Sequence, residues 1–253
     1  MKLEGSVVLI TGANGGIGKE FIQGLLAAGV AKIYAAARRP ETLDDLKAAN
    51  PGKIIPVKVD VTNLAQVNEA AAQYQDVNVL INNAGITRDQ GVISASDIDG
   101  ARQEMETNYF GTMAMCRAFA PVLKANGGGA IANLVSLLGK INLPFMGTYC
   151  ASKAAELSLT QCVRAELAGQ GTLVIAVLPG TVDTDFAKYY PPPKVAPAEV
   201  VRVALEAVIN EVEDVYPGEQ ATYLAAELLK DPKGLEKQLA GMLPAMFEQL
   251  KQQ

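Results

Sequence analysis

The sequence contains no histidine among its 253 residues. This absence excludes a Ser-His-Asp triad, histidine metal ligands and a histidine general base. Acid–base chemistry must therefore fall to tyrosine, lysine, carboxylate or cysteine side chains. The three cysteines form no CxxC pair, which excludes a zinc knuckle and a thioredoxin-type motif, so no metal site is expected.

Blocks of basic residues and long apolar runs are also missing. The 22 Lys and Arg residues are outnumbered by 27 Asp and Glu residues, which gives a net charge of −5. Without a basic block to neutralise phosphates, no nucleic-acid partner is expected. No apolar run approaches the length of a membrane span, and the N-terminal MKLEGSVVLITG lacks the form of a signal peptide. The missing membrane span and signal peptide, together with the odd number of cysteines, predict a cytoplasmic protein without a membrane partner.

Short β-branched apolar runs alternate along the chain with longer helix-like stretches. The runs are continuous, as expected of parallel strands that are buried on both faces. We therefore predict an α/β fold with a doubly wound parallel sheet, Rossmann-type, as a three-layer α/β/α single domain over residues 1–253. The predicted strands are 6–10, 32–37, 54–59, 77–81, 130–135 and 173–178, and the predicted helices are 17–28, 42–49, 64–73, 98–125 and 148–167.

The C-terminal third has a different pattern. Prolines at 191–193 and at Pro197 punctuate a loop, and Pro197 fits the first turn of a helix that runs to about residue 210. We interpret 186–213 as a substrate lid with a following helix. Beyond it, 214–253 is predicted to hold a short strand near 214–216 and then helices to the end of the chain.

A glycine-rich segment, TGANGGIG at residues 11–18, directly follows the first predicted strand. Glycines at 12, 16 and 18 would allow a tight turn, close approach of a pyrophosphate, and close packing of the next helix on the sheet. The helix N-terminus would then direct its free N–H groups at the phosphate charge. A strand–helix turn that merely needs glycine is the alternative, but the position at the start of a βαβ series favours dinucleotide binding.

The end of the second strand bears on which dinucleotide is bound. NAD sites usually place an acidic residue about 20 residues past the glycines to hold the ribose 2′-OH. Here the strand ends in Arg38 and Arg39, and a guanidinium could pair with the 2′-phosphate of NADP. Two solvated arginines at the start of a loop are the alternative. The sequence favours NADP(H) and leaves NAD open.

These segments and several later motifs resemble the classical short-chain dehydrogenase/reductase family. The later motifs are Asp60, NNAG at 82–85, Asn108, Ser136, YCASK at 149–153 and Pro179-Gly180, and the resemblance covers about residues 5–185. It implies an oxidoreductase whose cofactor shell comprises Gly12, Asn14, Gly15, Gly16, Ile17, Gly18, Arg38, Asp60, Val61, Asn83, Ala84, Gly85, Tyr149, Lys153, Pro179, Gly180, Val182 and Thr184.

The acid–base group is predicted within YCASK. Tyr149 and Lys153 lie four residues apart, so they share one face of a helix, and a nearby ammonium favours the phenolate. A solvated helix face is the alternative for this pair taken alone. The resemblance makes Tyr149 the acid/base, assigns Ser136 to the substrate oxygen and Lys153 to the cofactor ribose, and gives Asn108 a water-linked relay to Lys153. Asn108 could instead satisfy a buried backbone group.

The cysteines are interpreted as packing residues. Cys150 points about 100° around the helix from Tyr149. It is therefore expected to be a small buried bystander, and the same is expected of Cys116 and Cys162.

The residues that flank the expected hydride site are mostly apolar, which predicts an apolar ketone, aldehyde or secondary alcohol as substrate. The resemblance also implies a homodimer through the helices at 98–125 and 148–167, with small residues at Ala151, Ala154 and Ala155, and leaves a tetramer open. The predicted substrate pocket comprises Leu137, Leu138, Phe145, Met146, Phe186 and Tyr189.

Three functions remain open at this point. The leading one is an NADP(H)-dependent carbonyl reductase or alcohol dehydrogenase. A dinucleotide-binding sensor on the same fold, without turnover, is the second, although a sensor need not keep an acid–base group. A nucleotide-fold methyltransferase is the third, and it would not need YCASK.

Overall fold

The computed structural model describes residues 1–242, which are built around a seven-stranded sheet in the order β3-β2-β1-β4-β5-β6-β7. Every neighbouring pair in it is parallel. The strands are β1 (Val7–Thr11), β2 (Lys32–Ala37), β3 (Ile54–Lys58), β4 (Val79–Asn82), β5 (Ala130–Leu134), β6 (Leu173–Val177) and β7 (Asp214–Val215).

Helices cover both faces of this sheet. They are α1 (Gly16–Ala27), α2 (Asp44–Ala49), α3 (Leu64–Gln73), α4 (Asp99–Glu104), α5 (Thr112–Ala125), α6 (Gly147–Leu167), α7 (Pro197–Asn210), α8 (Glu219–Lys230) and α9 (Pro232–Ala240). A π-helical segment, Met105–Gly111, joins α4 to α5 without a break. None of the described helices combines the length and the apolar character that crossing a membrane would take.

The two faces of β1 show why its apolar run is continuous. Val8 and Ile10 pack into a core layer shared with α1 and α7, whereas Leu9 packs into the opposite layer beneath α3 and α5. A strand buried on both sides has no solvent face on which polar residues would alternate. The doubly wound α/β fold predicted from the sequence is confirmed.

The strand order reverses between β1 and β4. In an open parallel sheet, the loops that leave the carboxyl ends of the strands diverge at such a point and open a crevice for ligands. The segments after β1 and β4 both border that crevice, as do those after β2, β3, β5 and β6.

The two edge strands are poorly suited to further pairing. Pro56 lies in the middle of β3 and has no backbone N–H to donate. At the other edge, β7 has only two residues, and its Asp214 is paired with Arg164 at 2.6 Å. Within residues 1–242, β3 and β7 are therefore the two edges of the sheet, and neither is suited to pairing with another strand.

The C-terminal elements follow the predicted order, with β7 at 214–215 and α8 and α9 after it. Residues 243–253, for which helix was also predicted, lie outside the described residues. Cys116 and Cys150 are buried, as expected. The interpretation of Cys162 as a buried residue is wrong, because this thiol is exposed on the outward face of α6.

Candidate active site

The glycine-rich loop carries the chain from β1 into α1 with little room for side chains. Gly12 has a φ of +62°, and a Cβ there would come within 2.9 Å of the Ala84 Cα. A Cβ on Gly16 would lie 2.9 Å from Cγ2 of Thr184. The first turn of α1 carries no side-chain cap, so its N–H groups are available to a ligand. This cradle fits a pyrophosphate.

Asn83 supports this loop from the end of β4. Its Nδ2 donates to the carbonyl oxygens of Thr11 and Gly12, both at 3.0 Å. The Thr11 hydroxyl accepts hydrogen bonds from the backbone N–H groups of Asn83 and Ala84. Asn83 therefore lines the cleft and also fixes the loop, a role that the sequence motif alone did not reveal.

The adenosine end of the cleft is bordered by the loops after β2 and β3. Asp60 is held in place because its Oδ1 accepts from the Thr62 N–H at 3.0 Å and from the Thr62 hydroxyl at 2.7 Å. Arg38 is exposed at the rim of the cavity, whereas Arg39 does not border it. Every residue predicted for the cofactor shell lines this cavity.

Tyr149 and Lys153 face the centre of the cavity from the first turns of α6. The Lys153 Nζ lies 5.8 Å from the centroid of the Tyr149 ring. Ser136 directly follows β5, and its Oγ accepts a hydrogen bond from the Leu138 N–H at 3.1 Å. Burial raises the pKa of the Tyr149 phenol, the charge of Glu156 adds to the rise, and a hydrogen bond with Ser136 opposes it. The three predicted residues thus meet at one point.

Lys153 forms an ion pair inside the protein that sequence reasoning missed. Its Nζ donates to the Leu134 carbonyl oxygen at 2.9 Å and to Oε2 of Glu156 at 2.6 Å. Glu156 is only 1% exposed, and its Oε1 accepts from the Thr112 hydroxyl at 3.3 Å. Burial raises the pKa of Glu156 above its ordinary value, because the opposing effects of Lys153 and Thr112 are smaller than that of burial. A glutamate three residues past a lysine usually indicates a surface pair, so the sequence held no signal for this one.

Asn108 lies in the π-helical segment and is fully buried. Its Oδ1 accepts from the Ile86 N–H, and its Nδ2 donates to the Ile86 carbonyl and to the Ser152 hydroxyl, all at 2.9 Å. Of the predicted catalytic residues, it alone does not border the cavity. These contacts match the alternative that Asn108 satisfies buried backbone groups, and the relay to Lys153 stays a prediction.

The cavity extends past Tyr149 into an apolar chamber, with a total volume of about 1330 Å³. Phe186 covers the phenol, with ring centroids 6.0 Å apart.

The assignment of Tyr189 to this pocket is wrong, because Tyr189 is 71% exposed and does not border the cavity. Its neighbour Tyr190 does border the cavity, and the Tyr190 hydroxyl donates to Asp89. The other predicted pocket residues line the chamber, namely Leu137, Leu138, Phe145, Met146 and Phe186.

A further wall of the chamber comes from the C-terminal segment. Leu224 from α8 and Leu239 from α9 border the cavity, together with Met242. Leu239 also packs with Leu137 and Ile141, which anchors α9 on the loop that carries Ser136. From the sequence, only a short strand and helices are predicted for this segment, and no part in the pocket.

The arrangement places a tyrosine, a serine and a lysine between a pyrophosphate cradle and an apolar chamber. It can hold a dinucleotide on one side and an apolar molecule on the other. The phenol can exchange a proton with an oxygen that Ser136 holds. Among residues 1–242, no cluster of cysteine and carboxylate side chains could hold a metal ion.

Both the sequence and the fold are similar to those of known proteins. The sequence model described as short chain dehydrogenase matches residues 6–194. A short chain dehydrogenase from Burkholderia cenocepacia, solved in complex with NADP, is 45% identical, with a TM-score of 0.90 over 94% of this chain and 99% of that one.

Curated relatives share the same region. The NADP-dependent 3-hydroxy acid dehydrogenase of Schizosaccharomyces pombe is 31% identical over 74% of this chain and 75% of that protein. The mouse dehydrogenase/reductase SDR family member 7B is 34% identical over 73% of this chain, but the match spans only 60% of that longer protein. On the family match, the shared fold and the order of the site motifs, this chain belongs to the short-chain dehydrogenase family of oxidoreductases.

Proposed function

We propose that this protein is an NADP(H)-dependent oxidoreductase that interconverts apolar ketones or aldehydes with the corresponding alcohols, with Tyr149 as the general acid/base. The observation that carries this proposal is the convergence of Tyr149, Ser136 and Lys153 in one cavity, between the glycine-rich cradle and the apolar chamber. A carbonyl carbon beside Ser136 would have the cofactor on one side and apolar walls on the other.

Each residue has a proposed task. The bound cofactor supplies the hydride in reduction and accepts it in oxidation. Ser136 donates its hydroxyl proton to the substrate oxygen and so holds it beside the phenol. Tyr149 donates a proton to that oxygen during reduction and accepts one during oxidation. The Lys153 ammonium has three N–H groups. Two of them donate to the Leu134 carbonyl oxygen and to Glu156, so the third is proposed to donate to the ribose. Asn108 orients the loop at Ile86, and its water-linked relay belongs to the proposal.

The preference for NADP(H) rests on the residues that follow β2. Arg38 borders the cavity, and no carboxylate occupies the end of β2 to hold a ribose 2′-OH. The cofactor bound in the Burkholderia relative is also NADP. NAD is the weaker alternative.

The lining of the chamber supports the proposed substrate class. Leucine, isoleucine, phenylalanine and methionine side chains dominate it, which suits a carbonyl compound with apolar substituents. The name of the fission-yeast relative makes 3-hydroxy acids the competing class, and Arg88 at the cavity border could meet a carboxylate. A panel of apolar ketones and matched 3-oxo acids, each assayed with NADPH, distinguishes the two classes.

Tyr149→Phe tests the reaction itself. The variant should lose turnover by several orders of magnitude because the proton donor is gone, while its Kd for NADPH should stay close to that of the wild type. Cys150→Ala is the control. Cys150 is buried beside Tyr149, but within residues 1–242 its thiol hydrogen-bonds only with the backbone of Leu143, so activity should be retained. Residual turnover in Tyr149→Phe equal to that of Cys150→Ala would contradict the assignment. A wild-type protein that binds NADPH tightly but turns over neither class would favour the sensor.

The organisation of the chain completes the proposal. We propose one catalytic domain over 1–253, in which 186–213 supplies the lid and its following helix. In the C-terminal segment 214–253, α8 and α9 supply the far wall of the chamber. The base of the lid is closed by backbone pairing between Val182 and Val195. A homodimer through the outer faces of α5 and α6 is also proposed.

A further inference from the structure

We propose that Glu156 is a positioning residue that pairs with Lys153, keeps Tyr149 protonated, and so confines alcohol oxidation to higher pH while carbonyl reduction continues near neutral pH. This inference rests on the function proposed above, because it concerns the same phenol. It assigns a role to a carboxylate that touches neither the cleft nor the chamber.

The geometry of the ion pair carries the inference. Oε2 of Glu156 lies 2.6 Å from Nζ of Lys153, and the residues are 1% and 3% exposed. The Thr112 hydroxyl donates to the other carboxylate oxygen. Water therefore cannot screen the pair, and the carboxylate is held by two donors on the side of α6 that packs against α5.

The ion pair changes the effect of Lys153 on the pKa of the Tyr149 phenol. An ammonium facing a tyrosine stabilises the phenolate and makes the phenol a stronger acid. Here a carboxylate adjoins the same ammonium, so its negative charge opposes the effect of the cation on the Tyr149 phenol. Both burial and the charge of Glu156 raise the pKa of the phenol, with burial the larger cause. A protonated phenol is what reduction needs, whereas oxidation needs the phenolate.

The other groups around Tyr149 do not reverse the rise in the pKa of its phenol. Tyr149 faces Ser136 at the end of β5, Cys150 on its own helix, Glu104 on α4 and Tyr190 in the lid. Ser136 lowers the pKa of the phenol, whereas Cys150 and Glu104 raise it, as Glu156 does. Within residues 1–242, Glu156 itself faces Lys153, Thr112 on α5 and the buried Cys116, whose thiol pKa is raised to about 12, mainly by its burial.

Glu156→Gln tests the proposal through the pH dependence of kcat/KM for alcohol oxidation. Glutamine keeps an oxygen for Lys153 but removes the charge. We expect the rising limb of the profile to move to lower pH, oxidation near neutral pH to become several-fold faster, and the Kd for NADP to be unchanged. Glu156→Asp, which keeps the charge, should stay near the wild-type profile.

Glu104→Gln is the matched control. Glu104 is the other fully buried carboxylate near Tyr149, but it accepts from the Arg88 N–H and does not contact Lys153. Its neutralisation should move the profile less than Glu156→Gln does. An equal or larger shift would overturn the specific role of the Lys153 pair.

A second readout needs neither cofactor nor substrate. The chain has no tryptophan, so tyrosinate absorbance can be followed without indole overlap, and subtraction of the Tyr149→Phe titration isolates Tyr149 among the eight tyrosines. In Glu156→Gln, this phenol should ionise at lower pH than in the wild type. Because no turnover is involved, the titration separates a failure of this inference from a failure of the proposed reaction.

Several results would overturn the proposal. They are a folded Glu156→Gln variant whose titration and pH profile match the wild type, a shift to higher pH, or a uniform loss of kcat without a shift. If Glu156→Gln does not fold, Thr112→Val removes one donor from the carboxylate instead. The carboxylate then binds its proton more readily, so a smaller shift in the same direction is expected, and its absence would equally overturn the proposal.

Discussion

Arg38 and Arg39 are adjacent in the sequence, yet only Arg38 borders the cavity. We predict that Arg38→Ala weakens NADPH binding by roughly 30-fold, because a charge-assisted hydrogen bond to the 2′-phosphate contributes about 2 kcal/mol. Its Kd for NADH should be unchanged, since NADH lacks that phosphate. Titration calorimetry with both cofactors provides the measurement.

The neighbouring arginine supplies the control for this prediction. Arg39→Ala removes the same charge from the same loop and should leave both dissociation constants near those of the wild type. Equal weakening of NADPH and NADH in Arg38→Ala would show that Arg38 supports the loop instead of reading the phosphate.

Residue identities were predictable where a motif fixed the backbone around them. Ser136, Tyr149 and Lys153 lie together because a strand end and a helix start converge at the same edge of the sheet. Tyr189 and Tyr190 could not be told apart, because neighbouring residues in a short irregular turn point in different directions. Glu156 could not be found at all, because its spacing from Lys153 is that of a surface pair and only the packing of α5 against α6 buries it.

At the scale of elements, α8 offers a test of the chamber wall. Leu224 is half-buried and lines the cavity, whereas Leu229, on the same helix, is 87% exposed and does not. We predict that Leu224→Asp lowers kcat/KM for apolar ketones by roughly 10- to 100-fold, because a desolvated carboxylate disfavours the apolar group by about 1–3 kcal/mol. Steady-state kinetics with a fixed ketone gives the measurement.

Leu229→Asp introduces the same charge on the same helix and should leave kcat/KM within about twofold of the wild type. Binding of NADPH should be unaffected in both variants, because the cradle lies at the other end of the cavity. A similar loss of activity in both variants would mean that α8 had been destabilised as a whole.

The core strands were predictable to within one or two residues because each is a continuous apolar run bounded by turns. The role of α8 and α9 was not. Both are amphipathic helices like many others, so their sequences do not indicate what their apolar faces contact. Only the fold shows that Leu239 packs on the loop carrying Ser136. The π-helical segment was likewise invisible, because its residues fit a plain helix.

At the scale of the whole molecule, Cys162 offers a test of the proposed dimer. It lies on the outward face of α6, on the stripe that begins at Ala151 and passes through Ser158. We predict that the rate of Cys162 modification by a thiol reagent falls as the protein concentration rises through the dimer range, because the partner helix covers the stripe. Cys116 and Cys150 are buried and should stay unreactive under native conditions at every concentration.

Cys162→Ser should abolish the labelling, which assigns it to that thiol. Sedimentation run in parallel gives the population of dimer at each concentration. If dimers form while the labelling rate stays constant, the subunits associate through another surface.

The edges of the sheet limit how copies of the protein can associate. An exposed strand with free N–H and C=O groups is a template on which another chain can add a strand and start a filament. Proline at the centre of β3 interrupts that template on one side, and the charged two-residue β7 is too short to seed it on the other. Among residues 1–242, growth by strand addition is therefore disfavoured at both edges of the seven-stranded sheet, which is consistent with the proposed self-association through helices.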